Sequence, residues 1–292
     1  SLIGFGMIIP LSPYLAREFG ADALQVGLLM SIYSAMQFLF APIWGQWSDR
    51  VGRRPIILLS LFGAGLSHIL FGFANSLWVL FAARALAGLF GANISTAMAY
   101  IADVTSQDER SKGMGLIGAA FGLGFVLGPF FGGVLADLGS SWGQSPPLGS
   151  SLAAVGAGVV CLLNFGLALW VLNESHPRFR TRESQGVAPA DTNFSPQKKK
   201  RLQPIFYYMR DPVVGCLMLA FFLATFGMAN MEATLFLYVK EELGWSLREA
   251  SWGFAYVGVI LVLTQGYLIR KLLPRLGERA LIVWGLILGG GG

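Results

Sequence analysis

The sequence predicts an all-α protein that crosses a membrane several times. Hydrophobic residues make up 54% of its 292 residues and charged residues only 13%, whereas a soluble domain carries roughly 25% charged residues. The apolar residues form long segments that are almost free of charge. About 20 such residues in a helix span the ~30 Å hydrocarbon core of a bilayer. Because the segments recur along the whole chain, one signal peptide cannot explain them.

The apolar segments are predicted to be helices, and the first and last are short for a complete span. We therefore expect a sequence that is trimmed at both ends, with the final glycines, Gly289–Gly292, being either a linker or an artefact of that truncation. The predicted segments, in order, are Leu2–Tyr14, Leu24–Trp47, Pro55–Phe73, Leu77–Ile101, Gly113–Leu135, Leu152–Leu172, Pro212–Val239, Trp245–Ile269 and Ala280–Leu288.

One long polar stretch divides the predicted helices into two groups. It has no helical periodicity and contains four successive cations, Lys198–Arg201, which is typical of a flexible linker near lipid headgroups. A weak internal repeat spans it, since Phe5–Met7 recurs as Phe226–Met228. We predict a six-helix bundle over residues 1–172, a cytoplasmic linker over 173–211, and part of a second bundle over 212–292.

The lysines and arginines predict the orientation. If the loop after the second segment is cytoplasmic, 17 of the 21 cations lie on that side, three lie outside, and Arg84 lies within a segment. This is the asymmetry of the positive-inside rule. The high net positive charge is therefore explained by topology, and a nucleic-acid partner is not indicated.

The loop between the second and third segments carries the most specific pattern. Gly45 and Gly52 permit a close approach and a tight turn, and Pro55 suits the first position of a helix. Asp49 is placed to face the positive start of that helix, and Arg53 to reach an acid on a neighbour. The arginines alone would fit a simple topogenic loop equally well. The predicted gating residues are Gly45, Asp49, Arg50, Gly52, Arg53, Arg54 and Asp103.

The fifth segment is unusually rich in glycine. Little side-chain bulk allows a neighbouring helix to pack closely, and an internal proline removes a helical hydrogen bond and permits a bend. Tight packing alone would explain this pattern, and sealing of one side during a conformational cycle would explain it too. The residues concerned are Gly124, Gly128, Pro129, Gly132 and Gly133.

These two strings resemble motifs of the major facilitator superfamily. The string from Gly45 to Arg54 is similar to its signature between helices two and three, and Gly124–Gly133 is similar to the antiporter motif of its drug:proton antiporters. The tetracycline-efflux branch is similar over nearly the entire chain, including Ala102–Thr105. The resemblance implies the major facilitator fold and proton-coupled export of drug-like or amphipathic small molecules.

Two charged residues within predicted helices are candidates for proton coupling. Arg84 is costly at this depth, by about 2.5–3.5 kcal/mol on insertion scales, and is expected to face the bundle interior. The resemblance places it at the family's fourth-helix arginine, although Ala87 stands where glutamine is common. Glu232 is the one carboxylate well inside a segment and could carry a proton near neutral pH. A packing cation and a wetted helix-end acid are the alternatives.

Polar and aromatic residues of several segments are candidates for a central cavity. They are Tyr33, Gln37, Asn93, Phe121, Phe125, Asn230 and Tyr256. His68 is expected to serve packing, because the third helix lies peripherally in the resembled family. We expect no enzyme active site, metal or cofactor.

The predicted protein is a monomer in a bacterial inner membrane that contacts lipids, a small-molecule substrate and protons. A transporter-like sensor or scaffold without turnover is the alternative from another class. Within transport, a facilitator of sugars, amino acids or lipids also remains open.

Overall fold

The computed structural model describes residues 2–106, 110–143, 145–175, 212–264 and 268–290. Throughout these ranges the ordered elements are helices, which confirms the predicted all-α class. In chain order they are α1 (Leu2–Glu18), α2 (Ala23–Val51), α3 (Arg53–Gly72), α4 (Leu77–Gly91), α5 (Ile94–Val104), α6 (Arg110–Trp142), a 3₁₀ turn (Gly149–Ser151), α7 (Leu152–Val171), α8 (Pro212–Glu241), α9 (Leu247–Leu263) and α10 (Ile269–Gly290).

Five stretches of the described residues are long and apolar enough to cross a membrane. They are Ala23–Val51, Arg53–Gly72, Leu77–Val104, Ala120–Trp142 and Gly149–Val171. Most of the predicted linker lies outside the described residues, which include only its first three positions. The structure therefore does not test the linker.

Helix α1 lies at the centre of the first group of helices. Its residues from Met7 to Ala16 are all buried, and it packs against α6 and α7 and also touches α2, α8 and α9. A helix that is apolar on every face is stable only when surrounded by other helices or lipid. This explains why so short a segment, which also contains Pro10 and Pro13, keeps its helical form in the structure.

The fourth predicted segment is interrupted, which corrects the expectation of one continuous helix. Helix α4 ends at Gly91 and α5 begins at Ile94. The Trp44 indole N–H donates to the Leu89 carbonyl (2.6 Å), and the Gln37 amide donates to the Gly91 carbonyl (3.1 Å). The amide of Asn93 donates to the Ser60 hydroxyl. Side chains from α2 thus satisfy carbonyls near the break, as a break inside a membrane requires.

Helix α6 packs closely against α1 through glycines, and we call the contacts of α6 with α1 and α9 the glycine interface. A methyl group at Gly128 would lie 2.6 Å from the Gly6 Cα and 2.9 Å from the Ile3 carbonyl oxygen. At Gly124 it would lie 2.8 Å from the Leu2 Cβ. Only hydrogen fits at these positions, so α1 and α6 approach backbone to backbone.

The other face of α6 packs antiparallel to α9. Moving along the contact, Gly133 meets Ser251 and Val126 meets Gly258, while Gly122 meets Val262. Residue numbers fall along α6 as they rise along α9, so the register is kept over the whole contact. The predicted close packing of the fifth segment is therefore present, with neighbours on two sides.

Several predicted boundaries differ from the structure, and those of the fifth and ninth segments differ most. The fifth segment was expected over Gly113–Leu135, but α6 runs over Arg110–Trp142 and so continues beyond its apolar stretch. The ninth was expected at Ala280–Leu288, whereas α10 begins at Ile269 and leaves helical geometry at Gly277 (φ 75°). Hydrophobicity marks the part of a helix that lies in lipid, not the turns that extend beyond it.

We predict that Gly128→Ala lowers the thermal stability of the detergent-solubilised protein. The added methyl group would displace the backbone of α1, and overpacking of this kind costs about 1–3 kcal/mol. Gly118→Ala is the matched control, because nothing lies within 4 Å of a methyl group there; its melting temperature should stay the same or rise. Equal melting temperatures for Gly128→Ala and the unchanged protein would contradict this packing.

Candidate functional site

The turn between α2 and α3 is much tighter than the sequence indicated. Residues from Gly45 to Val51 are helical, and Gly52 alone separates α2 from α3. Its φ of +112° is a conformation that favours glycine. Gly45 needs no such freedom, because a methyl group there would lie 3.9 Å from the Ser95 hydroxyl; the predicted close approach at Gly45 is therefore wrong.

Three charged side chains meet beside this turn, and we call Asp49, Arg53 and Asp103 the charge cluster. The Arg53 guanidinium lies 2.6 Å from an Asp49 oxygen and 3.2 Å from an Asp103 oxygen. It also donates to the Ser48 hydroxyl (2.6 Å). The cluster thus ties α2, α3 and α5 together at one end of the bundle, which we call the arginine end. All its members belong to the first group of helices.

An acid that sequence reasoning overlooked lies at the same turn. Asp49 was expected to face the start of α3, but the Glu174 carboxylate accepts the backbone N–H groups of Arg53 (2.8 Å) and Arg54 (3.2 Å). Pro55 is the third residue of α3, not the first as predicted. The available signal was an acid directly after the sixth segment, on the side where the cations gather.

The Arg84 side chain is buried within the bundle, with 2% of its surface exposed. Its guanidinium carbon lies 4.9 Å from the centre of the Tyr33 ring, and one nitrogen lies 3.9 Å from the Met30 sulfur. Its other two nitrogens have no hydrogen-bond partner among the described residues. Arginine keeps its charge at physiological pH, so this is a buried cation without a described counter-charge.

A cavity of about 120 Å³ opens inside the first group of helices. Four of the predicted cavity residues line it, namely Tyr33, Gln37, Asn93 and Phe121. His68 lines it too, although it was expected only to serve packing; it is 5% exposed. His68 lies one helical turn after Ala64, another lining residue, and no pattern in the sequence distinguished it.

The remaining predicted residues are placed elsewhere or not described. Phe125 and Tyr256 are not among the residues that line this cavity. The Phe125 ring packs edge-on against Phe5, a lining residue, at 6.3 Å, and Tyr256 is 68% exposed on α9. The side chains of Asn230 and Glu232, in α8, lie outside the described part of the chain. Where residues are described, no three His, Cys, Asp or Glu side chains could hold a metal ion together.

Polar contacts join the two groups of helices at the end opposite the arginine end. The Tyr14 hydroxyl donates to the Trp245 carbonyl (2.9 Å), and Arg17 pairs with Glu241. In the glycine interface, the Arg248 guanidinium lies 3.1 Å from the Asp137 carboxylate, and the Phe130 and Trp252 rings pack edge-on at 5.1 Å. This end of the molecule is held closed by direct contacts.

Curated relatives cover nearly the whole chain. It is 33% identical to the class E tetracycline resistance protein of Escherichia coli, over 99% of this chain and 67% of that protein. It is 29% identical to multidrug resistance protein 2 of Bacillus subtilis (strain 168), over 99% of this chain and 68% of that protein. The chain thus spans about two thirds of their length.

A solved structure supports the same architecture. A bacterial homologue of the human lysosomal transporter Spinster, in an inward-facing and unoccupied conformation, matches with a TM-score of 0.71 and 21% identity. The match covers 94% of this chain and 60% of the other, and at this identity it speaks for the fold alone. The sequence model described as "Major Facilitator Superfamily" matches residues 1–292. The chain therefore belongs to the Major Facilitator Superfamily, a family of multi-pass membrane transporters.

Proposed function

We propose that the protein containing this chain exports drug-like or amphipathic small molecules in exchange for protons, by alternating access. The observation that carries the proposal is Arg84, a buried cation over the ring of Tyr33, which lines a cavity in a helical bundle. Buried charges in membrane proteins mark ion and substrate pathways. The relatives named for tetracycline and multidrug resistance support the direction and the substrate class.

The proposed orientation places the arginine end in the cytoplasm. It rests on the distribution of the cations, 17 of 21 on that side, which is the usual topogenic signal. We infer a location in the bacterial inner membrane, surrounded by lipid, and a monomeric protein. The connecting segment, residues 173–211, would then be a cytoplasmic linker between two bundles.

The contacts between the two groups of helices support a state that is closed on the outer side. The Tyr14–Trp245 hydrogen bond and the Arg248–Asp137 pair lie at the outer end in this orientation. For a substrate to leave, these contacts must open while the cytoplasmic side closes. The ion pairs at this end are weak enough to break and re-form during a transport cycle, because exposed ion pairs contribute about 0–1 kcal/mol of stability each.

The charge cluster is the proposed gating element at the cytoplasmic end. Arg53 connects α3 to α2 through Asp49 and to α5 through Asp103. A ligand-driven change between two states needs contacts that differ in strength between them. Rearrangement of these ion pairs would supply such a difference, and the glycine interface would allow α6 to move against α1 and α9.

Proton coupling is assigned to Glu232, with Arg84 as its fixed countercharge. A carboxyl group in apolar surroundings can hold a proton at neutral pH and release it when a cation approaches. Arginine cannot itself cycle its proton. Glu232 lies nine residues before the end of α8, and Arg84 lies seven residues after the start of α4. Both helices reach the proposed outer side at those ends, so the two residues lie at similar depths.

We expect Asp49→Asn and Asp103→Asn to slow transport while leaving substrate binding unchanged. The Asp103 side chain is 20% exposed, whereas the Asp49 side chain is 54% exposed. Screening by solvent therefore weakens the Arg53–Asp49 ion pair more than the Arg53–Asp103 ion pair. The loss should therefore be up to about fivefold for Asp49→Asn and larger for Asp103→Asn. Transport in proteoliposomes measures it, with the exposed Glu242→Gln as control. Wild-type rates for both variants would show that the cluster has no gating role.

We expect Glu232→Gln to abolish export driven by an imposed pH gradient but to permit substrate exchange at equal pH. Exchange moves no net proton, so substrate binding and the conformational cycle should survive. Arg84→Ala should impair both activities, because it removes the only charge described near the cavity. Export of labelled substrate from proteoliposomes measures both. Normal pH-driven export by Glu232→Gln would remove the coupling role from this residue.

A further inference from the structure

Glu174 joins the end of α7 to the start of α3. Oxygen Oε1 accepts the backbone N–H of Arg53 at 2.8 Å, and Oε2 accepts that of Arg54 at 3.2 Å. Oε1 also accepts the N–H of Ser175 at 3.0 Å. The first N–H groups of a helix have no partner within it, and the helix dipole places partial positive charge there. The carboxylate therefore matches this position in both hydrogen bonding and charge.

Gly52 is the residue that lets the carboxylate reach the helix. Gly52 is the single residue between α2 and α3, and its φ of +112° turns the chain between them. A methyl group at Gly52 would collide with the Glu174 carboxylate, because it would lie 2.8 Å from the Glu174 Cδ. The glycine is therefore required for two separate reasons. It supplies the backbone conformation, and it leaves the space that Glu174 occupies.

The residue that Glu174 holds by its backbone is the one at the centre of the charge cluster. The Arg53 side chain is 12% exposed and pairs with both Asp49 and Asp103. A second contact fixes the same turn to α7, because the Arg54 guanidinium donates to the Leu169 carbonyl at 2.9 Å. Glu174 thus holds the backbone of Arg53, while Asp49 and Asp103 hold its side chain.

We propose that Glu174 is the positioning residue of the cytoplasmic gate. It holds the backbone of Arg53 so that its guanidinium bridges α2 and α5, and it links the gate to the end of the sixth membrane span. It does not touch the cavity and has no part in binding substrate. This inference rests on the proposed function, since it gives Glu174 a role in the gate of an exporter.

The charges at the turn between α2 and α3 agree with this role. Asp49, Asp103 and Glu174 supply three negative charges, and the arginines of the turn supply three positive charges, from Arg50, Arg53 and Arg54. Without Glu174 the start of α3 would keep its partial positive charge next to an excess of arginine. Such repulsion would act first on Arg53, whose N–H makes the shorter of the two hydrogen bonds at the start of α3.

Hydrogen–deuterium exchange tests the positioning without any need for transport. In the full-length protein, Glu174→Ala should make the amides of Arg53 and Arg54 exchange about fivefold to tenfold faster, as loss of one helix cap predicts. Glu174→Gln keeps one acceptor oxygen, so the exchange rates of these two amides should lie between those of the unchanged protein and those of Glu174→Ala. Glu18→Ala, which removes an exposed acid at the opposite end, should change neither amide. Unchanged exchange in Glu174→Ala would overturn the positioning role, whether or not the protein exports.

Transport kinetics then test whether Glu174 acts through Arg53. Glu174→Ala should lower the maximal rate about fivefold to tenfold with unchanged KM, and Glu174→Gln should recover part of it. If Glu174 and Asp49 act on the same arginine, the Glu174→Ala/Asp49→Asn double variant should lose less than the product of the two single losses. Independent, multiplying losses would overturn the inference.

A pair of glycines separates backbone strain from loss of the Glu174 contact. Gly52→Ala should slow transport as Glu174→Ala does, because it both strains the turn and displaces the carboxylate. Gly20→Ala also places a side chain at a positive φ, +76°, where the strain is smaller than at Gly52, and it meets nothing within 4 Å, so it should leave the rate near normal. Equal losses in the two variants would overturn the link to Glu174.

Discussion

The close approach of α6 to α1 and α9 is the constraint on which the rest of the structure depends. Backbone contact at Gly6 and Gly128 removes the space that side chains would need, and lipid offers no hydrophobic drive that could replace such packing. A helix held by small residues on two faces keeps a register with both neighbours. The glycines themselves add no side chains that would oppose tilting of this helix, so movement against α9 has to separate chiefly the Phe130–Trp252 and Arg248–Asp137 contacts. The same glycines can therefore hold the molecule together and let its two groups of helices move.

Two arginines, Arg84 and Arg53, lie where a movement of the helices would change the groups around them. Arg84 lies deep in the bundle beside Tyr33, so any carboxylate brought to it gains or loses a strong partner. Arg53 lies at the end of the bundle, held by Glu174 through its backbone and by two acids through its side chain. The first charge suits proton coupling and the second suits gating. Neither role requires the surface ion pairs to be strong, since a difference of about 1 kcal/mol already shifts a two-state equilibrium severalfold.

The fold could be predicted from the sequence because lipid permits so few solutions: apolar segments of sufficient length must be helices. The break between α4 and α5 could not, since hydrophobicity continues across Gly91, and the interruption depends on side chains from α2 and α3 that bond Leu89, Gly91 and Asn93. The approach of Arg53 to Asp103 could be predicted, because the start of the third predicted segment and the end of the fourth lie on the same side of the membrane. Capping by Glu174 could not, because it depends on how the end of α7 meets the start of α3. The position of His68 at the cavity could not either, because it depends on how α3 packs against α1, α2 and α4.

The central claim is that the outer end must open for export to occur, while the glycine interface allows the movement. The charged atoms of Asp137 and Arg248 lie 3.1 Å apart at the ends of their side chains. Cysteines at these two positions would allow this end to be locked by a reducible thiol-reactive cross-linker that spans the removed side chains, because a direct disulfide needs Cβ atoms about 3.5–4.5 Å apart. Proteoliposomes carrying the double-cysteine protein should export substrate when reduced, stop when cross-linked, and resume after reduction. Export at an undiminished rate by fully cross-linked protein would contradict the account.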